Sequence, residues 1–187
     1  MQRRDLVRTG LIGAAAAAAG AAQAASPEKK RLTEDWDVVV VGAGFAGMCA
    51  ALEAAEKGAK TVLIEKMNRP DGATVYSSGW IAAVGSRFQK NHPEDSKKAF
   101  FDDMMRLSHY RSDPELIKVY AEESGDGIDW LADHGTPFYL WENLPSPELS
   151  RCLISPGEGI TGGSKLIRCL MAALEKKGVP IHYNTKP

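Results

Sequence analysis

Gly42-Ala43-Gly44-Phe45-Ala46-Gly47 stand in the order G-x-G-x-x-G, and an acid, Glu65, follows 23 positions after Gly42. Glycines at this spacing suit one task, the close approach of a backbone to a pyrophosphate. Gly42 allows a tight turn, and Gly44 has no side chain to hold phosphate oxygens away. Gly47 lets a following helix pack closely. The free amides and positive dipole end of that helix then face the anion. A carboxylate placed like Glu65 accepts hydrogen bonds from ribose hydroxyls.

The elements needed to position these residues are legible around them. Trp36-Asp37-Val38-Val39-Val40-Val41 is a β-branched run that predicts a strand buried on both faces of a parallel sheet. The alanine-rich stretch from Met48 to Lys57 predicts a helix, closed by Gly58. Thr61-Val62-Leu63-Ile64 predicts the second strand, with Glu65 at its end. Strand, glycine turn, helix, strand and acid in this order indicate dinucleotide binding. The competing reading is a chance glycine turn in another α/β domain.

Other residues invite chemistry less specifically. Ala99, Phe100, Phe101, Met104, Met105 and Leu107 lie in a predicted helix from Pro93 to Ser108 and read as core packing. Asp113-Pro114-Glu115 is a helix start, and the helix runs through Leu116, Ile117, Tyr120, Ile128 and Leu131 to Gly135. Gly125 and Gly127 predict a break within it. Glu122, Glu123, Asp126 and Asp129 read as a solvated face, and His92, His109, His134 and His182 lack metal-ligand spacing. Phe138-Tyr139-Leu140-Trp141 predicts a short strand before a proline-rich loop. A second glycine cluster, Gly157 to Gly163, precedes an amphipathic helix. It admits a phosphate at a helix N-terminus, but helix packing on the sheet is the better reading. Val179 to Asn184 predicts a strand of the same parallel sheet.

The 187 residues carry 23 Lys+Arg against 24 Asp+Glu and are 44% apolar. That balance fits a globular chain and argues against nucleic-acid binding, which calls for a basic excess. Cys49, Cys152 and Cys169 make neither a disulfide framework nor a zinc or c-type haem motif. Residues 1–25 have a basic start (Arg3, Arg4, Arg8), a mild apolar run and the pattern Ala22-Gln23-Ala24. This is the layout of an export signal, and Arg3-Arg4 suggests the twin-arginine route. The run is too short for a membrane span. Residues 26–35 read as a polar linker.

Beyond these motifs the chain resembles a known family. DVVVVGAGFAGMCAALEAAEKGAKTVLIEK and DGATVYSSGWIAA are similar to the FAD-binding domain of the fumarate reductase and succinate dehydrogenase flavoprotein superfamily. SDPELIKVYAEESGDGIDWLADHG and ITGGSKLIRCLMAALEKKGVPIHYNT continue the resemblance more loosely. The likeness is nearest to soluble periplasmic reductases of the flavocytochrome c type. It implies an α/β, Rossmann-like FAD-binding domain, incomplete, with a helical middle segment, over residues 36–187. It also implies FAD as cofactor. Gly42, Ala43, Gly44, Ala46 and Gly47 would line the pyrophosphate, and Glu65, with Lys66 beside it, would bind the adenosine ribose. Ala73, Thr74 and Gly79 would approach the flavin through backbone and hydroxyl groups, with Ser78 a weaker candidate. Asp71-Gly72-Ala73 stands where the family commonly has Gly-Gly-Asn, and Trp80 where it has a second glycine. Asp71 to Thr74 faintly matches a covalent FMN attachment motif, but Val75 and Tyr76 are too large for the close approach it requires.

The family's arginine acid and its arginine and histidine substrate clamps lie in sequence this chain does not contain. No catalytic residue and no metal ligand are therefore assigned, and Arg87, Arg106, Arg111 and Arg151 carry no motif. The expected activity is that of an exported oxidoreductase reducing an activated double bond, such as that of fumarate or a related unsaturated acid. Its partners would be a small-molecule acceptor and a separate electron donor, such as a periplasmic cytochrome or a flavin subunit. A dehydrogenase or oxidase on the same fold, a truncated non-catalytic remnant and an NAD-binding Rossmann protein are the alternatives.

Overall fold

Four consecutive valines favour extended backbone, and Val38–Val41 forms the first strand, β1. The computed structural model describes residues 34–70, 72–89, 95–141, 151–157 and 161–187, which fall in one unit of the chain. The expected signal (1–25), most of the linker, Asp71, His92 and the proline-rich loop from 142 lie outside the described residues.

Helix α1 (Phe45–Glu56) returns the chain to β2 (Thr61–Ile64), parallel to β1 in the register Val38↔Thr61 to Val41↔Ile64. Gly58, at φ +87°, makes the turn after α1. The last strand, β6 (Ile181–His182), pairs with the other side of β2, giving the order β1-β2-β6. β2 is buried throughout. β1 is not buried on both faces as its valine run predicts: Val40 packs on the core, while Val39 and Val41 are exposed. β1 is an edge strand among the described residues, and one of its faces is uncovered.

The long helix α5 (Gly162–Lys176) lies against α1. Met48, Ala51 and Leu52 meet Leu166, Leu170 and Leu174 over Leu63 in the main core. Each fully buried leucine or methionine side chain among them contributes about 1.5–3 kcal/mol.

The sequence between β2 and α5 builds a second layer. A short helix α2 (Ala73–Tyr76) leads into β3 (Trp80–Ala82). α3 spans Lys97–Leu107, four residues shorter at its start than the apolar stripe suggests, because Ser96 caps it by accepting from the Ala99 amide. α4 spans Pro114–Asp133, with Asp113 accepting from Glu115 N at 2.9 Å. β4 (Tyr139–Leu140) and β5 (Cys152–Ile154) then pair antiparallel in the order β3-β5-β4. β5 has no counterpart in the sequence reading.

The break expected at Gly125 and Gly127 does not occur, and α4 is continuous. A Cβ on Gly125 would lie 2.4 Å from the Val84 carbonyl oxygen and 2.8 Å from Ser86 N. Gly125 is therefore a notch that lets the chain leaving β3 cross the helix, and the hydroxyl of neighbouring Ser124 accepts from Val84 N. Packing thus outweighs the ~1 kcal/mol helix penalty of a glycine.

Arg151 is the buried cation of this layer. Its guanidinium binds both Asp95 oxygens and Asp103 at 2.6 Å and lies over the Phe100 ring. It ties β5 to α3, which is why an arginine with no sequence motif is buried.

Candidate functional site

The turn from β1 into α1 is held from three sides. Gly42 sits at φ +101°, where a side chain is strained, and its amide donates to the Ile64 carbonyl. A Cβ on Gly47 would lie 2.0 Å from the Gly42 carbonyl oxygen, so only glycine lets α1 sit this close to the turn. Glu65, 6% exposed, accepts from Ala43 N at 2.7 Å through one carboxylate oxygen and from Met67 N at 2.8 Å through the other.

Among the described residues no side chain caps the N-terminus of α1. Gly44 offers no side-chain acceptor, and the first turn contains no acid. The amides of Phe45, Ala46 and Gly47 precede the first intrahelical bonds. α3, α4 and α5 are instead capped by Ser96, Asp113 and Thr161. The α1 terminus is thus a cluster of donors beside a fixed glycine turn, suited to a phosphate.

Of the other expected site residues, Ala43 is buried and its amide is engaged with Glu65, so it ties the turn to the end of β2. Lys66 is exposed at the end of β2. Ala73 and Thr74 open α2, so this stretch is a helical turn and not a plain surface loop. The Thr74 carbonyl accepts from both Ser77 N and Ser77 Oγ. Gly79 is buried at φ +80°.

The second glycine cluster explains why Gly79 is held there. A Cβ on Gly79 would lie 2.5 Å from the Gly162 backbone, and one on Gly163 would lie 1.7 Å from the Thr74 carbonyl oxygen. A Cβ on Gly162 would likewise lie 2.1 Å from the Ser78 carbonyl oxygen. Thr161 Oγ1 and Ser164 Oγ both donate to the Val75 carbonyl, at 2.6 and 2.9 Å. The α5 N-terminus is therefore spent on seating residues 74–79, the packing reading of this cluster.

Residues without a sequence signal complete the site. Thr185 N donates to the Glu65 carbonyl at 2.9 Å, and Glu65 N donates to the His182 carbonyl at 2.9 Å. Burial, and then the Glu65 charge, push the Tyr183 phenol upward. These partners arrive with β6, too distant in sequence for any local pattern to reveal. An apolar groove of about 440 Å³ runs between α1 and α4, lined by Phe45, Cys49, Ile81, Leu116 and Val119. Burial pushes the Cys49 thiol up to about 11, opposed by a backbone hydrogen bond.

A parallel βαβ unit with this turn and acid defines a dinucleotide-binding domain. The family model described as "FAD binding domain" matches residues 37–186, and the chain belongs to that family, within the FAD-dependent fumarate reductase and succinate dehydrogenase flavoprotein superfamily. Its cofactor is FAD.

The chain is 31% identical over 153 residues to NADH:fumarate oxidoreductase of Klebsiella pneumoniae (strain 342), covering 81% of this chain and 16% of that one. It is 38% identical over 141 residues to urocanate reductase of Eggerthella lenta, covering 75% and 21%. The open conformation of a flavocytochrome c3 fumarate reductase superposes with a TM-score of 0.69 at 32% identity, covering 81% and 27%. The chain therefore spans about a quarter or less of these relatives' lengths. No helix among the described residues is long and apolar enough to cross a membrane.

Proposed function

We propose that this chain is the FAD-binding portion of an exported oxidoreductase that reduces the activated C=C bond of an unsaturated acid such as fumarate or a related compound. The observation that carries the reading is the uncapped α1 terminus locked to its glycine turn, with Glu65 tied to Ala43. Gly42, Gly44, Ala46 and Gly47 receive the pyrophosphate there. Ala43 holds Glu65 toward the adenosine ribose, with Lys66 beside it. The arm beyond the pyrophosphate reaches the segment of Ala73, Thr74 and Gly79, which α5 seats from behind.

Bound FAD supplies the two electrons of the reduction. The residues of this chain bind and orient it, and none of them is assigned to substrate or to proton delivery. The relatives named for fumarate and urocanate support an unsaturated acid as acceptor. Residues 1–25 serve as a twin-arginine export signal and 26–35 as a linker, so that the folded, FAD-loaded domain (36–187) reaches the periplasm. A separate periplasmic cytochrome or flavin subunit delivers the electrons.

The test has three arms. The 187-residue chain titrated with FAD should bind it, and Gly44→Val should abolish binding by blocking the phosphates. The whole protein, given viologen reduced with dithionite, should oxidise it when fumarate or urocanate is added. Bound FAD with no turnover on any unsaturated acid would reject the reaction and leave the cofactor reading standing. Arg3→Lys with Arg4→Lys should strand the flavoprotein in the cytoplasm, and normal periplasmic flavin in that variant would reject the twin-arginine route.

A further inference from the structure

We propose that Trp80, with Trp141 and Tyr139, forms the wall against which the isoalloxazine ring of FAD lies, a proposal that rests on the flavin-side reading of residues 73–79. The register puts Trp80, Ile154 and Tyr139 in one row across β3, β5 and β4. Directly opposed residues share a face, as do residues two apart on a strand, so Trp141 joins Tyr139. Trp141 N donates to the Cys152 carbonyl at 3.1 Å, continuing the β4–β5 ladder. The two indoles reach over β5 and meet edge to face, with centroids 5.0 Å apart at 61°.

Covering Ile154 accounts for only one side of this pair. The outward side stays open: Trp80 is 44% exposed, Tyr139 48% and Trp141 36%. The opposite face of the sheet carries Ile81, Leu140 and Leu153 into the main core, so the aromatic face is not a misplaced part of it. Three large aromatics clustered in the open are suited to stacking on a planar conjugated ring.

Position selects the ring. FAD has two aromatic ends. Glu65 claims the adenosine end, and the uncapped terminus of α1 claims the pyrophosphate. Trp80 is the first residue beyond the flavin-side segment, and its backbone is fixed because Gly79 is clamped against Gly162. Its carbonyl-side neighbour row is equally fixed, since Gly79 O accepts from Ser155 N at 3.3 Å. The wall is thus rigid and contiguous with the segment that reaches the flavin, leaving the isoalloxazine as the end it can serve.

The experiment titrates the 187-residue chain with FAD and, separately, with ADP, which lacks the flavin ring. It reads both dissociation constants and the emission of bound flavin. Wild-type protein should bind FAD more tightly than ADP, with flavin emission quenched by the indoles. Trp80→Ala and Trp141→Ala should each weaken FAD by about threefold to tenfold, restore part of the emission, and leave ADP unchanged. Unchanged FAD affinity with equal quenching in both variants overturns the proposal. If Trp80→Ala weakens ADP in parallel, the segment itself has been disturbed. Trp141→Ala then decides: a loss confined to FAD supports the wall, and any other result overturns it. A loss confined to the binding of cinnamate by the flavin-loaded protein assigns the patch to an aromatic acceptor and also overturns it. Wild-type protein that binds neither FAD nor ADP rejects the flavin-site reading and the wall with it. Equal binding of FAD and ADP by wild type and variants rejects the wall alone.

Discussion

Replacing Gly47 by alanine separates two physical effects of opposite sign. Helix preference alone makes the change stabilising by about 1 kcal/mol, because alanine loses less backbone entropy in a helix. The structure reverses that expectation. The new Cβ would lie 2.0 Å from the Gly42 carbonyl oxygen, where real Cβ contacts stay above 3.0 Å, so α1 or the turn must retreat by at least 1 Å. The obstacle is backbone on both sides and cannot be relieved by a rotamer change. Overpacking of this kind costs about 1–3 kcal/mol, and a backbone clash belongs at the upper end, leaving a net loss of about 2 kcal/mol. Gly127→Ala in α4 is the matched control, since nothing lies within 4 Å of its Cβ, and it should gain up to about 1 kcal/mol. In urea unfolding the two midpoints should then differ by more than about 1 M. FAD affinity should fall at least tenfold in Gly47→Ala and hold in Gly127→Ala, because only the first moves the amides of α1. A Gly47→Ala protein as stable as Gly127→Ala, or one that binds FAD like wild type, would refute the close-packing argument.

Arg151→Met should destabilise the fold by about 3–5 kcal/mol in chemical denaturation, because Asp95 and Asp103 lose their shared cation; adding Asp95→Asn and Asp103→Asn should recover part of the loss. His134 gives a pH test. Burial lowers its pKa, but hydrogen bonds that the ring donates to Glu56 and to the Trp130 carbonyl, with the Glu56 charge, raise it above 6.5, while Lys177 opposes. A raised histidine pKa stabilises fully below the unfolded value and fades as pH rises through the folded one. The Glu56 carboxyl is lowered from 4.5, first by its His134 bond, so its share fades only in acid. The stability difference between wild type and His134→Gln should therefore be largest between pH 4.5 and 6.5 and shrink above neutrality, as measured by urea midpoints across pH. Glu65→Gln turns one acceptor into a donor facing an amide, and should cost about 1–3 kcal/mol and weaken FAD more than FMN, which lacks the adenosine, by titration calorimetry.

The parallel unit was legible because its signals are local. Val38 to Glu65 contains strand, turn, helix and strand in one stretch, and the boundaries of β2 and the start of α4 at Asp113-Pro114 match the sequence reading. What escaped depends on distant partners. Gly125 looks like a helix breaker until the Val84–Ser86 backbone is seen against it. Cys152–Ile154 is too short to announce a strand and is one only because β3 and β4 flank it. The same holds within the site. Gly42, Gly47 and Glu65 carry their reasons in spacing, whereas the seat of Ala73, Thr74 and Gly79 is built by Gly162, Gly163, Thr161 and Ser164, the last two through hydrogen bonds to Val75 that span 86 and 89 residues.

That separation orders the appearance of function in time. β1, α1 and β2 can meet as soon as residue 64 exists, since every contact among them is local in sequence. The seat under Val75 cannot form until Ser164 has arrived, and closing so long a loop carries an entropic cost that slows the step. β2 also keeps one unpaired edge until Ile181 docks beside Leu63. During synthesis the turn between β1 and α1 can therefore form before residues 74–79 gain their seat, and Glu65 receives its β6 partners, His182 and Thr185, last of all.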